Sequence, residues 1–276
     1  MKRRTMKPSK GERSAVLITG AAGGMGLAAA KKLLKTGNTV YGLDLRQPEP
    51  MPEGLRFIQT DLTDPASVRQ AFEALQREGV RLRAILHMAG LYDLNALTEL
   101  EEEAWRRIFA VNLDAVYRVN RTFLPLLEPK GRILITTSEL APLDPLPFTG
   151  LYAVTKAALD KYASALRMEL QLLDLRVIVL RPGAVDTSLL DVSTAKLDVF
   201  CANTKRFAPN AQRFRNIVNR VEARKIPPER VAELTVRILE ASHPRDVYSI
   251  NRNPLLLLLN ALPNRVQRSI IRKILK

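Results

Sequence analysis

Apolar and polar positions follow two rhythms along this chain. Short, nearly continuous apolar runs fall at residues 16–19, 40–43, 84–87, 132–138, 176–181 and 247–250, with a weaker one at 56–59. Runs of that length, rich in Val, Ile and Leu, predict strands buried on both faces. Between them, apolar residues recur three and four apart at residues 27–35, from Pro65 onward, and at 97–127, 152–173 and 228–241. That period predicts amphipathic helices, with one long helix over 97–127. Strand and helix in turn predict an α/β fold: a doubly wound parallel sheet of about seven strands, helices on both faces. Asp64-Pro65 reads as an N-cap with proline at the first helical position, and Gly37 as a helix stop. Residues 188–226 carry little strong pattern.

The first apolar run stops in Thr19-Gly20-Ala21-Ala22-Gly23-Gly24-Met25-Gly26, and a helical pattern opens directly behind it. Glycines without Cβ atoms let a ligand approach the backbone closely. A helix N-terminus behind them offers unpaired N–H groups and partial positive charge, which suit a pyrophosphate. Asp44 ends the second run, where an acid can meet a ribose hydroxyl. These features together predict a dinucleotide site.

The spacing Thr19-Gly20-x-x-x-Gly24-x-Gly26 resembles the fingerprint of the short-chain dehydrogenase/reductase family, single-domain type. Tyr152-x-x-x-Lys156, behind a strand ending in Thr136-Thr137-Ser138, resembles the same family, and the resemblance covers about residues 15–250. It implies a Rossmann-type fold and an NAD(P)-dependent oxidoreductase that interconverts a secondary alcohol and a ketone, or an alcohol and an aldehyde. The implied cofactor residues are Thr19, Gly20, Gly24, Met25, Gly26, Asp44, Asp61, Leu62, Ala89, Gly90, Tyr152, Lys156, Pro182, Gly183, Val185 and Thr187. Asp61 would contact the adenine ring, and Thr187 the nicotinamide carboxamide. Residues 188–226 occupy the place of the substrate lid. An Asp44 carboxylate would repel a 2′-phosphate, so NAD(H) is expected over NADP(H), although Arg46 works the other way.

The resemblance implies that Asn112, Ser138, Tyr152 and Lys156 are catalytic. A free tyrosine, with a pKa of about 10, is a poor acid or base near neutrality. A lysine ammonium one helical turn away favours the phenolate. General acid–base catalysis of this kind is worth about 10²–10⁴-fold, roughly 3 to 5 kcal/mol of barrier. Ser138 would hydrogen-bond the substrate oxygen and Asn112 would hold a water in a proton relay. Ser138 lies 14 positions before Tyr152, one more than is usual in the family, and the usual interval lands on Glu139. A one-residue insertion in the proline-rich loop accounts for this, with Thr137 a weaker candidate. The family's asparagines before Ala89-Gly90 are replaced by His87-Met88; His87 can both donate and accept, as an asparagine does, and Met88 cannot. Two alternatives stand beside the main reading: a non-catalytic dinucleotide-binding regulator, and an epimerase or dehydratase of the same fold.

The formal charge of +15 resembles a nucleic-acid signal until it is located. Residues 1–13 and the acid-free stretch after Asp246 together supply +11 of it, so the body is only mildly basic and no nucleic acid is expected. Residues 1–13 read as a flexible tail. The lone Cys201 fits a reducing compartment, and no signal peptide or spanning segment is apparent, so a cytoplasmic protein is expected. No metal is expected, and a homo-oligomer is. Residues 251–276 read as an apolar and basic helical extension. Val266, Ile270, Ile271, Ile274 and Leu275 form a stripe, with Arg265, Arg268, Arg272, Lys273 and Lys276 at other positions. That stripe either packs on the protein or lies in an anionic membrane interface, where it would bring the enzyme to a lipophilic alcohol or ketone.

Overall fold

The computed structural model describes the backbone at residues 14–222 and 224–276, and the side chains of those residues other than 188–194 and 220–222. The expected tail at residues 1–13 lies outside the described residues. Seven strands form one parallel sheet: β1 (Ala15–Thr19), β2 (Thr39–Asp44), β3 (Leu55–Gln59), β4 (Leu82–His87), β5 (Leu127–Thr136), β6 (Arg176–Pro182) and β7 (Val247–Ile250). Their spatial order is β3-β2-β1-β4-β5-β6-β7. Strand order reverses between β1 and β4, and the crevice beyond their carboxyl ends is where such sheets bind ligands.

Among the described residues, ten α-helices accompany the sheet: α1 (Gly24–Lys35), α2 (Pro65–Arg77), α3 (Glu102–Phe109), α4 (Ala115–Phe123), α5 (Gly150–Leu170), α6 (Ser188–Asn203), α7 (Ala208–Glu222), α8 (Pro228–Glu240), α9 (Pro254–Asn260) and α10 (Asn264–Leu275). The strand side chains alternate between two apolar layers. Leu17, Ile85 and Ile133 join Val68, Val119 and Leu159 of α2, α4 and α5. Val16, Leu86 and Leu134 join Ala29 and Leu33 of α1 and Val231 of α8. Burial on both faces explains why the inner strands read as nearly unbroken apolar runs, while the edge strands β3 and β7 are only partly buried. Asp64 caps α2 by accepting from Ala66 and Ser67 N–H, with Pro65 behind it, as the sequence predicts.

One expectation is corrected. The single helix over 97–127 begins only at Glu102 and is broken by a π-helical turn at Ala110–Asp114. The wider turn carries the buried Asn112, whose amide bonds the backbone of Leu91. Residues 188–226, whose pattern in the sequence is weak, nonetheless hold α6 and α7. Their buried faces, Leu197, Phe200 and Cys201 on one and Ala211, Phe214 and Val218 on the other, meet Leu94, Ala96 and Leu275 in a third apolar cluster. A face whose other wall comes from distant segments is weak as a local period. Among the described residues no helix is long and apolar enough to cross a membrane.

At the end of β4 the replacement of asparagines is resolved by new partners. His87 is buried and its Nε2 lies 2.7 Å from Asn120 Oδ1, while Asn120 Nδ2 donates to the Tyr162 hydroxyl. Met88 replaces only the accepting half of an asparagine: its thioether accepts from Thr136 Oγ1 at 3.1 Å and so ties β4 to β5. Burial pushes His87 down to about 4, against the opposing pull of its bond to Asn120. Between that value and the unfolded pKa of about 6.5 the unfolded chain binds the extra proton, so stability rises with pH across this window. The contribution is present above about pH 6.5 and is lost as pH falls toward 4, about 3 kcal/mol in all. Urea unfolding at pH 7 and pH 5 should therefore show a fall about 2 kcal/mol larger in the native protein than in His87→Asn. An equal fall in both would show that His87 is not buried neutral.

Candidate active site

The glycine loop joins β1 to α1, and its backbone is packed too closely for side chains. Gly20 has φ +72°, and a Cβ on it would lie 2.6 Å from the Ala89 nitrogen. A Cβ on Gly26 would lie 2.0 Å from the Gly20 carbonyl oxygen. Gly24 abuts the side chain of Thr187, so the loop after β1 and the loop after β6 touch. Thr19 Oγ1 accepts weakly from Ala89 N–H across the sheet's switch point. Asp44, at the end of β2, bends over the loop and accepts from Ala22 N–H at 3.0 Å. Bare backbone, a helix N-terminus and an adjacent carboxylate together fit a nicotinamide dinucleotide. Asp61 lies at the end of β3 and is engaged by its own turn, accepting from Thr63 N–H and Oγ1 at 2.8 and 2.6 Å. Those bonds, led by the hydroxyl, hold its carboxyl below the usual range. Leu62 is buried beside it, and its carbonyl accepts from Arg118.

Beyond the carboxyl ends of β4, β5 and β6 opens a cavity of about 510 Å³. Met25, Ala89, Gly90, Ser138, Tyr152, Lys156, Pro182, Gly183, Val185 and Thr187 all line it. Thr19, Gly20, Gly24, Gly26, Asp44, Asp61, Leu62 and Asn112 are not part of its wall. Asn112 sits beneath the floor. It accepts from Leu91 N–H at 2.7 Å and donates to the Leu91 carbonyl and to Thr155 Oγ1. It thus clips the segment after β4 onto α5, one residue from Lys156.

Tyr152 and Lys156 share a face of α5 and both turn toward the end of β5. The Tyr152 ring packs edge-on against Tyr92, with centroids 4.6 Å apart. Burial pushes its phenol up to about 12, while a bond to the Ser138 hydroxyl pulls it down and the Glu139 charge raises it further. The expected downward pull of Lys156 on the phenol is therefore not what dominates in this structure. Lys156 Nζ is buried, donates to the Thr136 carbonyl at 3.3 Å and lies 5.6 Å from the Tyr152 ring centre. Burial brings Lys156 itself down to about 8. Of the two candidate hydroxyls just past the end of β5, Ser138 engages Tyr152. Thr137 Oγ1 donates instead to Asp160, which is ion-paired with Arg181.

The far wall of the cavity was not read from the sequence as part of a site. Tyr92 contributes from the loop after β4, and Leu256, Leu259, Ile270 and Ile274 come from α9 and α10. The C-terminal stripe is turned over the cavity rather than simply onto a core, although Leu275 does enter the third apolar cluster. The stripe itself was visible in the sequence; the surface it faces was not.

A family model described as short chain dehydrogenase matches residues 14–198. Estradiol 17-beta-dehydrogenase 2 of Mus musculus is 35% identical over 192 residues, which is 64% of this chain and 50% of that protein. The 3-ketodihydrosphingosine reductase of Bacteroides thetaiotaomicron is 30% identical over 178 residues, 64% of this chain and 65% of that protein. The chain thus spans about half the length of the estradiol dehydrogenases that it matches. Among solved structures, a short-chain dehydrogenase from Streptomyces avermitilis superposes with a TM-score of 0.74 at 20% identity, over 95% of this chain and 96% of that one. A 3-ketoacyl-(acyl-carrier-protein) reductase from Brucella melitensis, complexed with NADH, gives 0.69 at 23% identity, over 87% and 97%.

Proposed function

The chain belongs to the short-chain dehydrogenase family, and from that premise we propose that it is a nicotinamide-dependent oxidoreductase that interconverts an apolar secondary alcohol and its ketone. The observation that carries this reading is the convergence of Ser138, Tyr152 and Lys156 on one cavity, beside the glycine loop. A scaffold that merely bound a nucleotide would have no need to bury a lysine and a phenol together, since burying such groups is costly. The bound nicotinamide supplies or accepts the hydride. Ser138 and Tyr152 hold the substrate oxygen, and Tyr152 gives it a proton or takes one from it. Lys156 supplies a cationic field below the ring, and Asn112 keeps the floor in register. The residues that would hold the dinucleotide are the Gly20–Gly26 loop, Asp44, Ala89, Gly90, Tyr152, Lys156 and the segment Pro182–Thr187, with Asp61 and Leu62 at the adenine end.

The substrate we propose is apolar because α9 and α10 wall the cavity with leucine and isoleucine. Two of the similar proteins are named for estradiol and 3-ketodihydrosphingosine, both lipophilic. The lid is the pair α6 and α7, and the C-terminal pair is its counterpart across the mouth. A homo-oligomer is supported by Trp105, Tyr117 and Met168, exposed on α3, α4 and α5. Contact with an anionic membrane is supported by Leu255, Leu258 and Ile274, which are half or more exposed at the cavity mouth, and by Arg265, Arg268, Arg272 and Lys273 around them. The buried, free Cys201 suits a cytoplasmic setting.

Tyr152→Phe removes only the phenol oxygen, so it should keep the fold and bind NADH while turnover falls by about a hundredfold or more. Near-normal turnover in the purified variant would remove Tyr152 from its role. NAD(H) should be preferred, because the Asp44 carboxylate lies against the loop at Ala22 and repels a 2′-phosphate. Comparison of kcat/KM for the two cofactors, before and after Asp44→Ala, should show a gap that narrows in the variant. A native preference for NADP(H) would mean that Arg46 prevails. Sedimentation with phosphatidylserine-containing vesicles at low salt should be lost when Arg265, Arg268, Arg272 and Lys273 are all changed to Gln. Unaltered sedimentation, or none by the native protein, would overturn the membrane contact.

A further inference from the structure

Glu139 follows Ser138 directly and is only 7% exposed. Its backbone N–H donates to the Pro182 carbonyl at 2.9 Å, extending the pairing of β5 and β6 past their ends. Its Oε2 accepts from the backbone N–H of Asn253 at 2.6 Å. Its other oxygen lies over Gly183, where a Cβ would come within 2.9 Å of it. The neighbouring Asn251 stands at φ +56° and donates to the Ala184 carbonyl, so residues 251–253 are stitched to the loop after β6 as well. One residue later, at Pro254, α9 begins.

A buried carboxylate is an awkward neighbour for a phenol that must ionise. Its charge raises Tyr152, and its own desolvation pushes its carboxyl up, against the pull of the Asn253 N–H and Arg252. The catalytic step gains nothing from it. What the carboxylate does hold is the near end of the C-terminal wall. The rest of that wall has separate ties: Asp144 N–H to Asn260 Oδ1 at 2.7 Å, and Asn210 and Arg213 to the Leu275 carbonyl at 2.6 and 3.1 Å. Among the described residues, only at Glu139 does a tie of the wall share a backbone turn with the hydroxyl assigned to the substrate oxygen.

We propose that Glu139 is a positioning residue, clamping the start of α9 against Ser138 so that the apolar wall lies in fixed register with the reacting oxygen and favours long apolar alcohols. This rests on Ser138 and Tyr152 being the catalytic pair, and it adds the element that sets substrate length. A charge-assisted bond to a backbone N–H is among the stronger ones, and its loss frees a local segment rather than the whole fold.

Two measurements test the clamp. The first is amide hydrogen exchange, which needs neither substrate nor an active Tyr152. In Glu139→Leu, peptides covering residues 253–262 should exchange about fivefold faster or more, while those covering 264–276 change less, because α10 keeps its bonds to Asn210 and Arg213. Glu139→Gln retains an acceptor and should restore most of the protection. Asn253→Pro removes the donor at a residue whose φ of −79° proline can adopt, and should reproduce the Leu variant if that one fails to fold. Asn253→Ala keeps the donor and controls for the lost α9 cap. The second measurement is NAD-dependent oxidation of 2-octanol and 2-propanol. The ratio of their kcat/KM values should fall about fivefold or more in Glu139→Leu and be largely kept in Glu139→Gln. Unchanged exchange at 253–262 in both Glu139→Leu and Asn253→Pro would overturn the clamp, as would an unchanged ratio. If the native protein oxidises neither alcohol, the reading of the catalytic pair is what suffers, and exchange alone decides the clamp.

Discussion

The close passage of β1 and β4 is the constraint on which the rest of this structure depends. Backbone meets backbone there, with Gly20 against Ala89 and no room for a Cβ between them. Because the sheet order reverses at this pair, the segments leaving β1 and β4 go to opposite faces and leave a crevice. Gly26 then folds onto Gly20, Gly24 meets Thr187, and Asp44 closes over Ala22. Segments from the ends of four strands are thereby fixed to one another, with only the side chains of Thr187 and Asp44 between them. A larger residue at the crossing would push the glycine loop away from the segment after β4.

Buried polar groups hold the second part of the site. Asn112 satisfies both backbone groups of Leu91 and still reaches Thr155, and it does so from a π-helical turn. Lys156 is buried with the Thr136 carbonyl as its hydrogen-bond acceptor. Burial moves the tyrosine up and the lysine down, which is the direction desolvation dictates for an acid and a base. His87, Asn120 and Tyr162 form a similar closed network under the sheet. Networks of this kind tolerate no missing member, since each unpaired buried group costs about 1–3 kcal/mol.

The C-terminal segment plays a different part. Its leucines and isoleucines do not complete the sheet's two apolar layers but stand over the cavity, with exposed basic residues on α10 outside. Some of its apolar side chains, Leu255 and Leu258 among them, remain about two thirds exposed. An apolar wall that open to solvent is poorly covered by the chain itself, and a lipophilic molecule or surface would complete it.

The sequence by itself determined what depends on local rules. Seven apolar runs became seven strands, the five inner ones because a strand buried on both faces is apolar along nearly its whole length. Asp64-Pro65 and the glycine loop were legible because a cap and a close approach each demand particular residue types. Tyr152 and Lys156 were legible as a pair because four residues make one turn of helix. Tertiary structure decided the rest. The apolar period over 97–127 could not reveal the π-helical turn, which forms because Asn112 must reach Leu91 on another segment. Residues 188–226 became α6 and α7 only against Leu94, Ala96 and Leu275. A pull of Lys156 on Tyr152 was to be expected from spacing, but burial, which spacing does not encode, sets the direction, and the bond to Ser138 is what opposes it. The destination of the C-terminal stripe was open for the same reason. A helical period states which residues share a face, and only the folded chain supplies what that face meets.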